Sequence, residues 1–185
     1  PVSARGGRID LWTYEENKVR QSTFKGAGDL ATPELARIKP DDPNHVAKFE
    51  YSLLAPNQWA GVAMEIHGLP DADGKPQPED VSSYKYLSLQ VYATGIRILK
   101  LETRTDASGK DTRSVYPQYT FEAKPGLNTY RVPLTGFTQP SWADIRVDPK
   151  DVYKKLTSIA LVGFCDVCNY PQQGVIVVDN VVFEK

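Results

Sequence analysis

Apolar residues along this chain recur mostly at every second position, in short runs separated by Gly, Pro, Asn and Asp. That period is the one a half-buried strand produces, and a helix would need a spacing near 3.6. The clearest run is Tyr84 to Ala93, where Leu87, Leu89 and Val91 fall on one face and Tyr86, Ser88, Gln90 and Tyr92 on the other. Ile96 to Thr105 repeats it, with Leu99, Leu101 and Thr103 alternating against Lys100, Glu102 and Arg104. Thr94-Gly95 lies between the two and Asp106 to Gly109 follows as a turn, so the pair reads as an antiparallel hairpin.

The same patterning predicts strands at Arg8 to Glu16, Val19 to Lys25, His45 to Leu54, Trp59 to His67, Arg113 to Glu122, Asn128 to Leu134, Thr157 to Cys165 and Gly174 to Glu184. Two short stretches read as a helical turn or two: Pro33 to Arg37, and Asp148 to Lys155 with an Asp cap before a Pro at the first helical position. Strands without intervening amphipathic helices predict an all-β sandwich or barrel and exclude a βαβ architecture. Leu69 to Asp80 and Thr135 to Asp151 read as surface loops, and neither has the length and composition of an interdomain linker. One domain over 1–185 is therefore expected.

Charge narrows the functional classes. Twenty-two basic residues against 23 acidic ones argue against a nucleic-acid binder that works by neutralising phosphates. Apolar runs such as Val175 to Val178 are far shorter than the roughly 20 residues of a membrane helix, so no membrane partner is expected. The chain opens at Pro1, and its single Met, 14 Pro, 13 Gly and 10 Tyr suit a secreted or periplasmic module from which a targeting signal has been removed.

Phosphate loops, His-Glu-x-x-His and Gly-x-Ser-x-Gly signatures are absent, and His45 and His67 are too few for a three-histidine zinc site. Cys165 and Cys168 precede a strand rather than open a helix, which favours a small disulfide over a redox motif. A carboxylate pair for glycoside hydrolysis stays open, because its spacing is a property of the fold. Asp179 shares parity with Val175, Val177, Val181 and Phe183, a row that reads as core-facing. A carboxylate there needs a metal ion, a basic partner or several backbone donors, unless it caps a neighbouring loop. Among metals, a hard cation such as calcium fits the lack of nearby His and Cys. The outward row Tyr86, Gln90 and Tyr92 beside Lys100, Glu102 and Arg104 interleaves rings with forked donors and acceptors, a mixture suited to sugars. An ordinary cross-strand charge ladder has the same composition. Trp12, Trp59 and Trp142 read as core or loop anchors.

Four stretches carry a family resemblance: Ile9 to Trp12, Asp80 to Val91, Thr129 to Phe137 and Val175 to Phe183. In that order they resemble the galactose-binding-like jelly rolls, in particular family-11-like carbohydrate-binding modules and the complex I intermediate-associated domain. The resemblance implies a jelly-roll sandwich of two antiparallel sheets and a noncatalytic module that binds a polysaccharide or oligosaccharide, within or beside a larger secreted enzyme. It implies a structural calcium between the first and last strands. Asp179 matches the acidic residue of the last strand; Glu15 is its first-strand counterpart if Tyr14 takes the aromatic position, whereas Trp12 in that position leaves Thr13. Tyr92, Lys100, Glu102 and Arg104 map onto the ligand-binding sheet face. The alternatives are a hydrolase or lyase using a carboxylate such as Glu102, and an interaction domain that has lost sugar binding.

Overall fold

The computed structural model describes residues 4–5, 8–12, 21–26, 29–30, 34–36, 41, 43–44, 46–66, 71–75, 77–105, 116–164 and 169–185. Glu15, His45, His67, Cys165 and Cys168 lie outside the described residues. The strands are β1 (Ala4–Arg5), β2 (Arg8–Trp12), β3 (Gln21–Gly26), β4 (Asp29–Leu30), β5 (Glu34–Ala36), β6 (Val46–Leu53), β7 (Trp59–Glu65), β8 (Tyr86–Ala93), β9 (Ile98–Arg104), β10 (Gln118–Glu122), β11 (Asn128–Pro133), β12 (Ser158–Phe164) and β13 (Gln172–Glu184). They form two sheets, and every pairing is antiparallel.

The larger sheet is built on β13, whose 13 residues reach three neighbours. β8 pairs along one side of it and carries β11; on the other side β6 takes the first half and β2 the second. β4 and β5 pair with β6, and β1 with β2. The smaller sheet runs β10-β9-β12-β7-β3. Alternation within the strands then decides the core: Phe49, Leu53, Leu87, Leu89, Val91, Ile176 and Val178 from the larger sheet meet Val62, Met64, Leu99, Leu101, Ile159 and Leu161 from the smaller. Phe137, Tyr153 and Leu156 belong to the same cluster. The jelly-roll sandwich expected from the sequence is the observed fold.

Three readings need correction. First, Tyr84 to Ala93 and Ile96 to Thr105 are not a hairpin: β8 lies in the larger sheet and β9 in the smaller, so the chain at Thr94 to Arg97 crosses over the core. The physical reason lies in what packs against Thr94 to Ile96. Gly95 adopts φ +73, and a Cβ there would lie 2.4 Å from the Gln173 carbonyl oxygen. The buried Tyr51 hydroxyl donates to the Thr94 carbonyl at 2.7 Å and accepts from the Ile96 N–H at 2.6 Å. Those two bonds satisfy backbone groups that a hairpin partner would otherwise pair. Second, Glu34–Ala36 is a strand on β6, not a helical turn; pairing with an available edge outweighs weak local helix preference. The other helical stretch forms as expected: α1 (Pro149–Tyr153) starts at Asp148, whose side chain accepts from the Lys150 N–H.

Third, Asp179 does not share a face with Val181 and Phe183. The β8 register slips between Asp179 and Val182, and Asn180 sits at φ +48. This bulge reverses the parity, so the core receives Ile176 and Val178 before it and Val181 and Phe183 after it. Asp179 pairs with Gln90 on the outward-facing row, yet is fully buried.

Candidate functional site

Among the described residues, β9 carries a compact cluster of charge. Lys100, Glu102 and Arg104 alternate with the core residues Leu99, Leu101 and Thr103, so they stand together on the outer face of the five-stranded sheet, about 7 Å apart along the strand. Lys100 Nζ lies 2.9 Å from Glu102 Oε1, and Arg104 donates to Glu102 Oε2 from Nη2 at 2.6 Å and Nε at 3.1 Å. Each cation also meets a ring: Lys100 Nζ is 5.6 Å from the centre of Phe164, and Arg104 Cζ is 4.9 Å from that of Tyr116. With 9% of its side chain exposed, against 23% for Lys100 and 20% for Arg104, Glu102 is the fixed post and the cations line its sides.

The neighbouring strands present a floor of small side chains. Val162 and Ala160 of β12 pair with Lys100 and Glu102, and Gly61 and Ala63 of β7 pair with them in turn. Ala63, Ala160 and Val162 form an apolar cluster separate from the core between the sheets. At one end of this floor Trp59 pairs with Phe164, and Trp59 is 46% exposed. From that end to Arg104 the face runs six residues of β9, about 20 Å. The floor itself is covered, with Ala160 and Val162 at 0% and 1% exposure, so the groups this face offers to a ligand are the half-exposed Trp59 ring and the charged row with its flanking rings.

Sequence parity placed Lys100, Glu102 and Arg104 correctly relative to one another, but not beside Tyr86, Gln90 and Tyr92. Those three occupy the outer face of the other sheet, with the whole core between the two groups. There the Arg131 guanidinium lies 3.4 Å from the centre of the Tyr86 ring and donates to Glu184 at 2.7 Å. Tyr92 is half-buried opposite Val177. Gln90 accepts from Asn180 Nδ2 at 3.1 Å.

That last bond joins Gln90 to Asp179. Asp179 Oδ2 accepts from Asn44 Nδ2 at 2.9 Å and Asn180 Nδ2 at 3.0 Å, and Oδ1 from the Asn180 N–H at 2.7 Å. The compensation demanded by a buried carboxylate thus includes one backbone N–H and two carboxamides. Among the described residues no three His, Cys, Asp or Glu side chains cluster as a metal site.

Sequence reasoning missed Trp59, Phe164 and Tyr116. The available signal was β7 itself, whose outward positions run Trp59, Gly61, Ala63: a large ring followed by small residues is odd for a solvated sheet face. Trp59 and Trp142, read from the sequence as core or loop anchors, stay outside the core at 46% and 71% exposure.

No protein-family model matches this chain, and no curated protein matches it in sequence. Solved structures do match. The family 11 carbohydrate-binding module of a cellulosomal cellulase of Clostridium thermocellum superposes with a TM-score of 0.66 at 15% identity, covering 98% of this chain and 96% of that one. The family 30 module of another cellulosomal cellulase of the same organism gives 0.63 at 10% identity over 95% and 97%. This chain has the fold of those modules. A family 11 carbohydrate-binding module from Clostridium thermocellum in complex with a β-1,3-1,4-mixed-linked tetrasaccharide matches with a TM-score of 0.64 at 15% identity, over 98% of this chain and 97% of that one. A β-1,2-glucanase from Parabacteroides distasonis matches with a TM-score of 0.54 at 14% identity; the match covers 94% of this chain but 24% of that enzyme. Among the described residues no helix is long and apolar enough to cross a membrane.

Proposed function

We propose that this chain is a noncatalytic polysaccharide-binding module of a larger secreted or periplasmic enzyme, and that its glycan lies on the outer face of the five-stranded sheet. The observation that carries the reading is the Lys100-Glu102-Arg104 row, its cations set against the rings of Phe164 and Tyr116, with the half-exposed Trp59 paired beside Phe164. Rings stack on the apolar faces of sugars, and the charged row offers fixed donors to hydroxyl and ring oxygens. Glu102 has an oxygen engaged by each cation, an arrangement that orients the donors rather than frees a carboxyl for proton transfer. Tyr86, Gln90 and Tyr92, on the opposite sheet, do not belong to this site.

Affinity electrophoresis through gels containing mixed-linked β-1,3-1,4-glucan, β-1,2-glucan, xylan or alginate tests the assignment. At least one polymer should retard the protein without release of reducing ends. Trp59→Ala should remove most of the retardation while leaving the melting temperature within about 2 °C, because that ring is half in solvent. Equal mobility in all four gels, or liberated reducing ends, refutes the reading.

A structural calcium belongs to the same proposal. Asp179 is a buried carboxylate ringed by the carboxamides of Asn44, Asn180 and Gln90, groups that can present oxygen as well as N–H, and oxygen is what calcium takes. Asp179 is the proposed acidic ligand of the last strand, with Glu15 its counterpart from the N-terminal segment. A bound cation would tie those two parts of the chain together. Chelator should then lower the melting temperature, and added calcium should restore it, because a ligand specific for the native state stabilises it by mass action. A melting curve indifferent to both removes calcium from the proposal.

A further inference from the structure

Trp142 exposes 71% of its surface, more than any other large hydrophobic residue among those described. A ring that large forgoes considerable burial by standing in water, so the loop holding it should be built to do so. It is. Pro140 to Ala143 is a tight turn closed by the Ala143 N–H donating to the Pro140 carbonyl at 3.1 Å, with Ala143 tucked inward and Trp142 turned out. Arg146 donates to the carbonyls of Pro140 and Ser141, and Gln139 bonds Ile145 and Val147 from its two ends.

The loop is also continuous with the proposed glycan face. Thr138 pairs with Gln118, and Gln118 pairs with Glu102. Two strand spacings, about 10 Å, therefore separate Glu102 from the point where this loop leaves the sheet. Four residues on, Trp142 is at most about 14 Å farther. The other exposed residues of this turn are polar, namely Ser141, Asp144 and Arg146, while Ala143 is buried beneath it. A protein anchor of this size sits among other apolar groups that exclude water, whereas an isolated rigid ring suits the amphipathic face of a sugar.

We infer that Trp142 is a second saccharide-stacking contact, separate from the sheet face, which engages a long glycan that runs over the β10 edge. The inference rests on the glycan-binding reading above. A flexible polymer held at two points gains from the second contact by raised effective concentration, and a short oligosaccharide seated on the sheet does not. The test compares wild type, Trp142→Ala and Trp59→Ala by affinity electrophoresis in the same four polymers and by titration with the mixed-linked tetrasaccharide. Trp142→Ala should keep its melting temperature and its tetrasaccharide affinity within twofold, while its polymer affinity falls roughly 3- to 10-fold. Unchanged polymer affinity in a protein that wild type shows to bind overturns the second contact and leaves the sheet-face site standing. Equal losses on polymer and tetrasaccharide place the ring inside the first site, and also overturn it. A change in sedimentation of the protein alone, without any effect on glycan mobility, makes Trp142 a self-association contact instead. Failure of the wild type to bind any of the glycans sinks both readings together.

Discussion

Removing one oxygen from Tyr51 is the sharpest test of how the two sheets are joined. Its ring belongs to the core, and its hydroxyl bridges the crossover by donating to Thr94 and accepting from the Ile96 N–H. Tyr51→Phe keeps the ring and deletes both bonds. Two mostly buried backbone groups then lose a partner, in a crossover too tight for a bulky replacement: Gly174 would place a Cβ 2.1 Å from the Thr94 oxygen. Each orphaned group costs about 1–2 kcal/mol, so a loss of roughly 2–4 kcal/mol is expected. For a chain of this length that corresponds to a fall of about 5–15 °C in melting temperature. Urea unfolding followed by near-ultraviolet circular dichroism, together with a thermal melt, measures both quantities. A loss below about 0.5 kcal/mol would mean that water or a local shift satisfies the two groups, and that the hydroxyl does not set the crossover.

Other expectations concern charge and pH. Glu102→Leu leaves Lys100 and Arg104 facing each other without their shared anion, and should cost roughly 1–3 kcal/mol in urea unfolding as well as abolish glycan retardation; retained glycan mobility shift would remove the row from the site. Burial, and next the Asp80 carboxylate, raise the Glu79 pKa above 4.5. A raised folded value means the native state prefers the protonated acid, so stability present below about pH 4.5 is lost as pH climbs through the folded value. Glu79→Gln should therefore melt higher than wild type at pH 7 and no higher at pH 4; an equal difference at both pH values refutes that account. Burial likewise pushes the Tyr51 and Tyr153 phenols above 10. Their contribution holds below pH 10 and disappears at higher pH, so in an ultraviolet titration these two phenolates should appear only as the protein unfolds.

Much of this molecule is legible residue by residue. Period-two alternation identifies most of the strands and divides each into core-facing and outward positions, because successive side chains on a strand must point opposite ways. That is why Lys100, Glu102 and Arg104 share a face, and why Leu87, Leu89 and Val91 enter the core. The Asp148 cap and the following proline likewise mark α1 without tertiary help. Alternation is silent, however, on which strand lies next to which. Thr94-Gly95 suits a hairpin turn as well as a crossover, and only Tyr51, 43 residues away from Thr94, decides between them by supplying the missing hydrogen bonds. The consequence for function is large, since the choice moves Tyr86, Gln90 and Tyr92 to the far side of the sandwich and brings Phe164 to Lys100 instead, with Trp59 on the next strand beyond it. One bulge at Asn180 similarly reverses the face of Asp179, a break in period that no counting of residues reveals. Side-chain direction is a local property of the chain and can be read from it, whereas sheet membership and register depend on distant partners that only the folded structure brings together.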